Sequence, residues 1–285
     1  MTTPPPPRIL SIAGSDSSGG AGIQADIKTI TMLGGYAMTA VTAITAQNSV
    51  GVQGIAPIAP AMVAQQIASC IDDIGVDAVK IGMLHDAAVI AAVARALEGV
   101  AAPIVLDPVM IATSGAALIA PDAMAAMREL LFPKAALLTP NLPELVALIG
   151  RPLASTQDLI DAAGELSETT GAAVLAKGGH MVSASAGGDD RITDVLFVTG
   201  ERAAAFGHAR IDTVHTHGTG CTLSSAIATL LGHGQPLEHA VRLARQFVIR
   251  AIETAPGYGA GHGPLGHQAV RRLDRRENAE SEKRS

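Results

Sequence analysis

The residue types best suited to chemistry in this chain gather in a few short stretches, the sharpest being His217-Gly218-Thr219-Gly220-Cys221-Thr222. Glycines at the start of an amphipathic helix let the amides of Gly218, Thr219, Gly220 and Cys221 converge on one anion. The helix dipole adds partial positive charge at the same place. Such a nest suits a phosphate, or the charge that develops while a phosphoryl group moves. A cysteine held there is expected to give up its proton below the ~8.5 of a free thiol. The plainer alternative is a glycine-rich helix start with a buried Cys221. Gly14-Ser15-Asp16-Ser17-Ser18-Gly19-Gly20-Ala21-Gly22 is a second glycine-rich loop. It lets the backbone approach a ligand, yet it has neither the Walker A ending nor the Rossmann spacing. A plain turn between strand and helix is its alternative.

Three further groups end predicted strands. Asp107-Pro108 and Asn141-Leu142-Pro143-Glu144 place acids where parallel strands finish, the usual gathering point of ligands and Mg²⁺ in open α/β sheets. Asn141 reads equally well as a helix N-cap, with Glu144 at the capping-box offset. Lys177-Gly178-Gly179-His180 offers a cation to nucleotide phosphates, or merely a solvated strand-end lysine. Cys70 shares an apolar helical stripe with Ile67, Ile71 and Ile74 and reads as core, while His85, His233 and His239 lack ligand spacing.

The elements that must position these groups alternate. Strands are predicted at 8–13, 38–46, 77–81, 103–106, 135–138 and 172–176. Helices are predicted at 22–33, 60–74, 86–97, 121–131, 142–149 and 156–170. Continuous apolar strands such as Ile104-Val105-Leu106 argue for burial on both faces, so the fold class is α/β with a mostly parallel sheet between helical layers. Segments 194–198 and 202–208 read as an antiparallel edge hairpin, and helices at 219–231 and 237–254 follow. The glycine loops, acids, lysine and cysteine then share one edge of one sheet, a convergence that favours phosphoryl transfer. Residues 8–270 read as a single domain. A proline-rich lead occupies 1–7, and 271–285, with six basic and four acidic residues, reads as a disordered tail.

Composition narrows the classes of function. The chain of 285 residues carries a net charge of −6, with 2% aromatic residues and no Trp, so it has neither the basic field nor the stacking platforms that nucleic acids require. The 48% of hydrophobic residues make an aliphatic core. Every long apolar run is broken well before the ~18 residues of a membrane span, and no signal peptide is read at the start. Two distant cysteines exclude a disulfide framework. The expected setting is the cytoplasm.

Several stretches together, in order and spacing, resemble one family. They are Gly14-Ser15-Asp16 with Gly19 through Asp26, Thr45-Ala46-Gln47-Asn48, Lys80-Ile81-Gly82-Met83-Leu84, and Val105-Leu106-Asp107-Pro108-Val109-Met110. Thr139-Pro140-Asn141-Leu142-Pro143-Glu144, Lys177-Gly178-Gly179-His180, Thr216 through Thr222 and Gly261 through Leu265 complete the set. From about Arg8 to His267 the chain is similar to the hydroxymethylpyrimidine/phosphomethylpyrimidine kinases of thiamine biosynthesis, members of the ribokinase-like superfamily. That resemblance implies a three-layer α/β/α sandwich, use of MgATP, two successive phosphorylations of a hydroxymethylpyrimidine, and a homodimer. By matching positions it places Gly14, Asp26, Gln47 and Met83 in the pyrimidine pocket and Asp107 and Glu144 near Mg²⁺. Asn141 and Lys177 then fall beside the ATP phosphates, and Gly218, Thr219, Gly220 and Cys221 form the anion hole. Relatives carry an aspartate base where Cys221 stands, so the implied catalytic pair is Lys177 with Cys221. The latter serves either as a thiolate base or as a positioning group. Ser17 stands where the family often has proline, and 183–190 suggests a flap. The competing readings are a pyridoxal kinase of the same superfamily, a non-catalytic pyrimidine-phosphate sensor and a cysteine hydrolase.

Overall fold

A computed structural model describes residues 4–110, 118–120, 122–179, 191–198 and 204–269. Its elements in chain order begin with β1 (Arg8–Asp16), α1 (Gly22–Met32), β2 (Tyr36–Gln47), β3 (Val52–Pro57), α2 (Pro60–Asp73), β4 (Ala78–Ile81) and α3 (Ala87–Ala96). Next come β5 (Ile104–Leu106), α4 (Ala123–Leu130), β6 (Leu137–Leu138), α5 (Leu142–Ile149), α6 (Thr156–Thr170) and β7 (Ala173–Ala176). The order closes with β8 (Arg191–Phe197), β9 (Ala204–Ala209), α7 (Thr219–Gly232) and α8 (Leu237–Glu253). Among the described residues nine strands join one sheet, in the order β3-β2-β1-β4-β5-β6-β7-β8-β9.

The central strands are apolar on both faces because both are covered. Leu10, Ile12, Val79, Ile81, Ile104, Leu106, Leu138 and Val174 pack with Val63, Ile67, Val89, Met127, Leu145 and Leu159, so α2 to α6 cover one face. The alternate residues Ile9, Ala78, Val105, Leu137, Ala173 and Leu175 pack with Ile30, Ile227 and Val241, so α1, α7 and α8 cover the other. The two-residue period of a strand sorts one continuous apolar run into two separate cores. Three layers result.

Strands β2, β1, β4, β5, β6 and β7 run parallel. Their carboxyl ends therefore face one edge, and the order reverses between β1 and β4, which makes the crevice there a topological switch point. One departure from the predicted pattern stands at the margin. β3, absent from the predicted strands, pairs antiparallel to β2. Its residues are exposed or half-buried, so it lacks the apolar run that marks a strand in sequence. On the opposite side β8 and β9, the expected edge hairpin, pair antiparallel, and β8 also runs antiparallel to β7. Both the predicted flap at 183–190 and the predicted tail at 271–285 lie outside the described residues. No helix among the described residues is long and apolar enough to cross a membrane.

Candidate active site

At the switch point, the loop after β1 meets the residues after β4. A Cβ on Gly14, near the end of β1, would sit 2.4 Å from Met83 Cε, so the bare strand backbone lies against the tip of the methionine. Met83 packs with Ala43 and Leu118, bordered by Val52, Ile55 and Val109, which gives an aliphatic wall with no aromatic ring. Gln47, half-buried at the end of β2, lies across the loop with its amide beside Thr45 and His217. Gly14, Gln47 and Met83 are thus brought to one crevice.

Asp26 is not in its wall. The side chain is fully buried under the crevice, on α1, with Lys80 Nζ at 2.8 and 3.0 Å and the hydroxyls of Ser11 and Ser225 each donating at 2.5 Å. Its oxygens are taken, so the expected pocket contact is replaced by a role beneath the floor. Lys80 was the overlooked partner. Burial alone would lower the lysine's pKa, but Asp26 outweighs it and raises the value well above that of a free amine. A single charge in the otherwise apolar β4 sequence Ala78-Val79-Lys80-Ile81 was the available signal, because a buried charge needs a counter-charge.

Further along the edge, Asp107 Oδ1 accepts from Lys177 Nζ and from Thr139 Oγ1, both at 2.9 Å. A Cβ on Gly220 would lie 3.1 Å from Asp107 Oδ2 and 3.3 Å from Lys177 Nζ, so the start of α7 faces this ion pair. Glu144 is buried nearby, and burial together with the Asp107 charge pushes its pKa up to about 7, although Lys177 and the amides of Asn141 and Met110 pull it down. Asn141 forms the cap: its Oδ1 accepts from Glu144 N at 2.9 Å, and Glu144 Oε2 accepts from Asn141 N at 2.8 Å. Of the two readings of Asn141, the capping box is therefore present in the fold. It fixes Glu144 against Asp107 through its backbone.

At the start of α7 one amide departs from the expected nest. Gly218 takes φ +84°, and a Cβ there would fall 1.9 Å from Gly20 O, so both glycine loops touch through bare backbone. Thr222 N donates to Gly218 O at 2.9 Å, which leaves the amides of Gly220 and Cys221 ahead of it without an intrahelical carbonyl. Thr219 N instead closes a turn on Thr216 O at 3.2 Å, so that amide is spent. Cys221 also departs from expectation. Burial, helped by Asp26 and Asp107, pushes the thiol up to about 11 despite Lys80 and the Gly22 amide. Desolvation raises the thiol, opposite in direction to the lowering expected at a helix start.

Asp16 and His217 form a second buried pair at the glycine loops. Asp16 Oδ2 accepts from Gly20 N at 3.0 Å, Ala21 N at 2.8 Å and His217 Nε2 at 2.8 Å, while Oδ1 accepts from Ser18 N and Oγ. Burial opposes the charge, but these donors hold the carboxyl below the usual carboxylate range. An Asp followed by Ser-Ser-Gly-Gly signals such a self-capping loop, whereas its partner 201 residues away does not.

A parallel-centred α/β/α sandwich whose strand ends bring a carboxylate–lysine pair against a glycine-rich helix start defines a phosphotransferase of the ribokinase-like class. The phosphomethylpyrimidine kinase family model matches residues 16–266, and the chain belongs to that family. It is 42% identical over 266 residues to the hydroxymethylpyrimidine/phosphomethylpyrimidine kinase of Bacillus subtilis, covering 93% of this chain and 96% of that one. It is also 46% identical over 260 residues to the thiamine biosynthesis bifunctional protein ThiED of Geobacter sulfurreducens. That match covers 91% of this chain and 52% of the relative, about half its length. Among solved structures, the pyridoxal kinase from Staphylococcus aureus in complex with AMP-PCP and pyridoxal superposes with a TM-score of 0.84 at 32% identity. The superposition covers 94% of this chain and 96% of that one.

Proposed function

We propose that this chain uses MgATP to phosphorylate 4-amino-5-hydroxymethyl-2-methylpyrimidine to its monophosphate and then to the diphosphate, as a cytoplasmic homodimer serving thiamine biosynthesis. The observation that supports the reading is the approach of Gly220, at the start of α7, to the Asp107–Lys177 ion pair. Membership of the phosphomethylpyrimidine kinase family supports the substrate.

The donor set fits Mg²⁺ and phosphates. Burial makes ionising Glu144 costly, and the neighbouring Asp107 charge adds to that cost while Lys177 opposes it. Among the described residues no three His, Cys, Asp or Glu side chains gather into a cage, so Mg²⁺ here would be held by Asp107 and Glu144 together with phosphate oxygens, its usual mode. When bound, the ion would neutralise charge on the transferring phosphoryl group.

This chain's own groups divide the remaining work. The Gly14–Met83 wall and the Gln47 amide bind and orient the ring. Lys177 and the amides of Gly220 and Cys221 stabilise the negative oxygens in flight, and Asn141 acts through the cap that holds Glu144. With its thiol pushed up by burial, Cys221 is suited to positioning the acceptor hydroxyl rather than to removing its proton. A loose phosphoryl transfer needs little base assistance, and the second acceptor is already an anion.

A coupled assay tests this: purified protein, MgATP and the hydroxymethylpyrimidine, with products identified by mass. Mono- and then diphosphate with ADP release are expected, and binding without ADP release sinks the proposal. Pyridoxal belongs in a parallel arm, because a solved relative binds it. Pyridoxal phosphorylated in preference to the pyrimidine favours that second reading.

A further inference from the structure

A lysine that faces the start of α7 has to be aimed. Its four-carbon stem is flexible, and its ammonium is a point charge that acts only where it is placed. The tip of Lys177 is held by Asp107 Oδ1 at 2.9 Å. The backbone that carries it lies one residue past the end of β7 (Ala173–Ala176). On one side the Lys177 N–H donates to Pro140 O at 2.9 Å. On the other, the antiparallel ladder with β8 reaches its last pair at Ala176 and Val195. Two residues on, the Gly178 N–H donates at 2.9 Å to the side chain of Asp194, at Oδ1, in place of a backbone carbonyl. A Cβ on Gly178 would fall 1.9 Å from Thr193 O, so bare backbone is what lets the chain lie this close to β8.

Asp194 is itself held. Its side chain and that of Arg245 are each only 10% exposed, and Asp194 Oδ2 accepts from Arg245 Nε at 2.7 Å. Arg245 stands on α8, and its Nη2 donates to Phe206 O at 2.9 Å and to His208 Nδ1 at 2.8 Å, both on β9. The guanidinium carbon also lies 5.4 Å from the centre of the Phe206 ring. One carboxylate therefore ties the backbone beside Lys177 to α8 and, through the arginine, to β9. A buried ion pair adds little stability over apolar packing of the same volume. Stability alone does not account for charges at this place, whereas the bond to Gly178 N–H does.

We propose that Asp194, held by Arg245, is a positioning residue that anchors the backbone at Gly178 and so keeps the Lys177 ammonium against Asp107 and Gly220. The inference rests on the reading of the site as a phosphotransferase in which Lys177 stabilises the phosphoryl oxygens. Neither Asp194 nor Arg245 is given a contact with substrate; both act through Lys177. A small displacement of a charge that must meet the transition state lowers the rate steeply.

Two double variants separate the anchor from the charge. Asp194→Asn/Arg245→Met and Asp194→Ala/Arg245→Met both remove the ion pair, and neither strands a charge. They differ in the acceptor left for the Gly178 N–H: asparagine offers a carbonyl oxygen, alanine nothing. In the coupled assay with MgATP and the hydroxymethylpyrimidine, the alanine variant is expected to lose kcat by roughly 10- to 100-fold. Its KM for the pyrimidine changes little, because Gly14, Gln47 and Met83 form a separate crevice. The asparagine variant keeps most of the wild-type kcat. Equal kcat in the two variants overturns the proposal, whatever their stabilities. Should the alanine variant not fold, hydrogen exchange at the Gly178 amide of the wild type decides instead: strong protection is required, and exchange at the rate of an open loop refutes the anchor. If the wild type phosphorylates nothing, the phosphotransferase reading itself fails. If it is active and the two variants behave alike, only the anchor fails.

Discussion

Lys80→Met isolates the charge beneath the active site. The native pair has no exposed surface: Lys80 Nζ meets both Asp26 oxygens, at 3.0 and 2.8 Å, and the hydroxyls of Ser11 and Ser225 supply two more donors at 2.5 Å. A carboxylate has about four acceptor positions, so Asp26 is fully satisfied. Methionine keeps the apolar stem of lysine and deletes the charge, leaving the carboxylate with two hydroxyls and no counter-ion. Breaking a buried pair from one side costs about 3–5 kcal/mol, chiefly from the stranded charge. Each kcal/mol lowers Tm by roughly 2–4 °C in a chain of this size, so a loss of about 10 °C is expected. Lys80→Met/Asp26→Asn removes both charges and should recover part of the loss. Urea denaturation of wild type, both single variants and the double variant gives the cycle, provided m is unchanged. A loss below about 1 kcal/mol for Lys80→Met, or strict additivity in the double variant, would falsify the view that the pair acts as one buried unit.

Two other expectations follow from shifted acidities. Glu144, raised by burial, holds its proton up to about pH 7 in the fold, against 4.5 for an ordinary glutamate. The folded state therefore binds more protons between those limits, and this group's contribution to stability falls as pH rises through the window. Glu144→Gln preserves the capping-box acceptor and removes the titration, so in metal-free buffer it should gain on the wild type between pH 5 and pH 8, by on the order of 2–3 kcal/mol. Parallel denaturation curves at the two pH values would contradict this. Cys221, pushed up to about 11, should react slowly with iodoacetamide at neutral pH and faster above about pH 9. Mass mapping of alkylated peptides reads the rate, and rapid neutral-pH labelling at Cys221 would mean an acidified thiol after all.

Much of this site could be read along the chain because its parts are local. A strand buried on both faces must be apolar throughout, so Ile104-Val105-Leu106 and its counterparts reveal the parallel sheet, and the sheet sends Asp107, Asn141 and Lys177 to one edge. Glycines before a helix announce the nest, and Asn141 with Glu144 announces its cap through a three-residue offset. Strand β3 escaped because its half-exposed residues carry no such run.

Tertiary structure alone decided the electrostatics. Asp26 found Lys80 across 54 residues and Ser225 across 199, while Asp16 found His217 across 201. No spacing rule reaches so far. The thiol of Cys221 shows the difference most plainly: a helix N-terminus, visible in the sequence, lowers a cysteine's pKa, whereas burial beside two carboxylates raises it. Which effect wins depends on how much water the folded chain excludes and which charges it brings close. Those are properties of packing between distant segments, and they appear only when the chain has closed around the site.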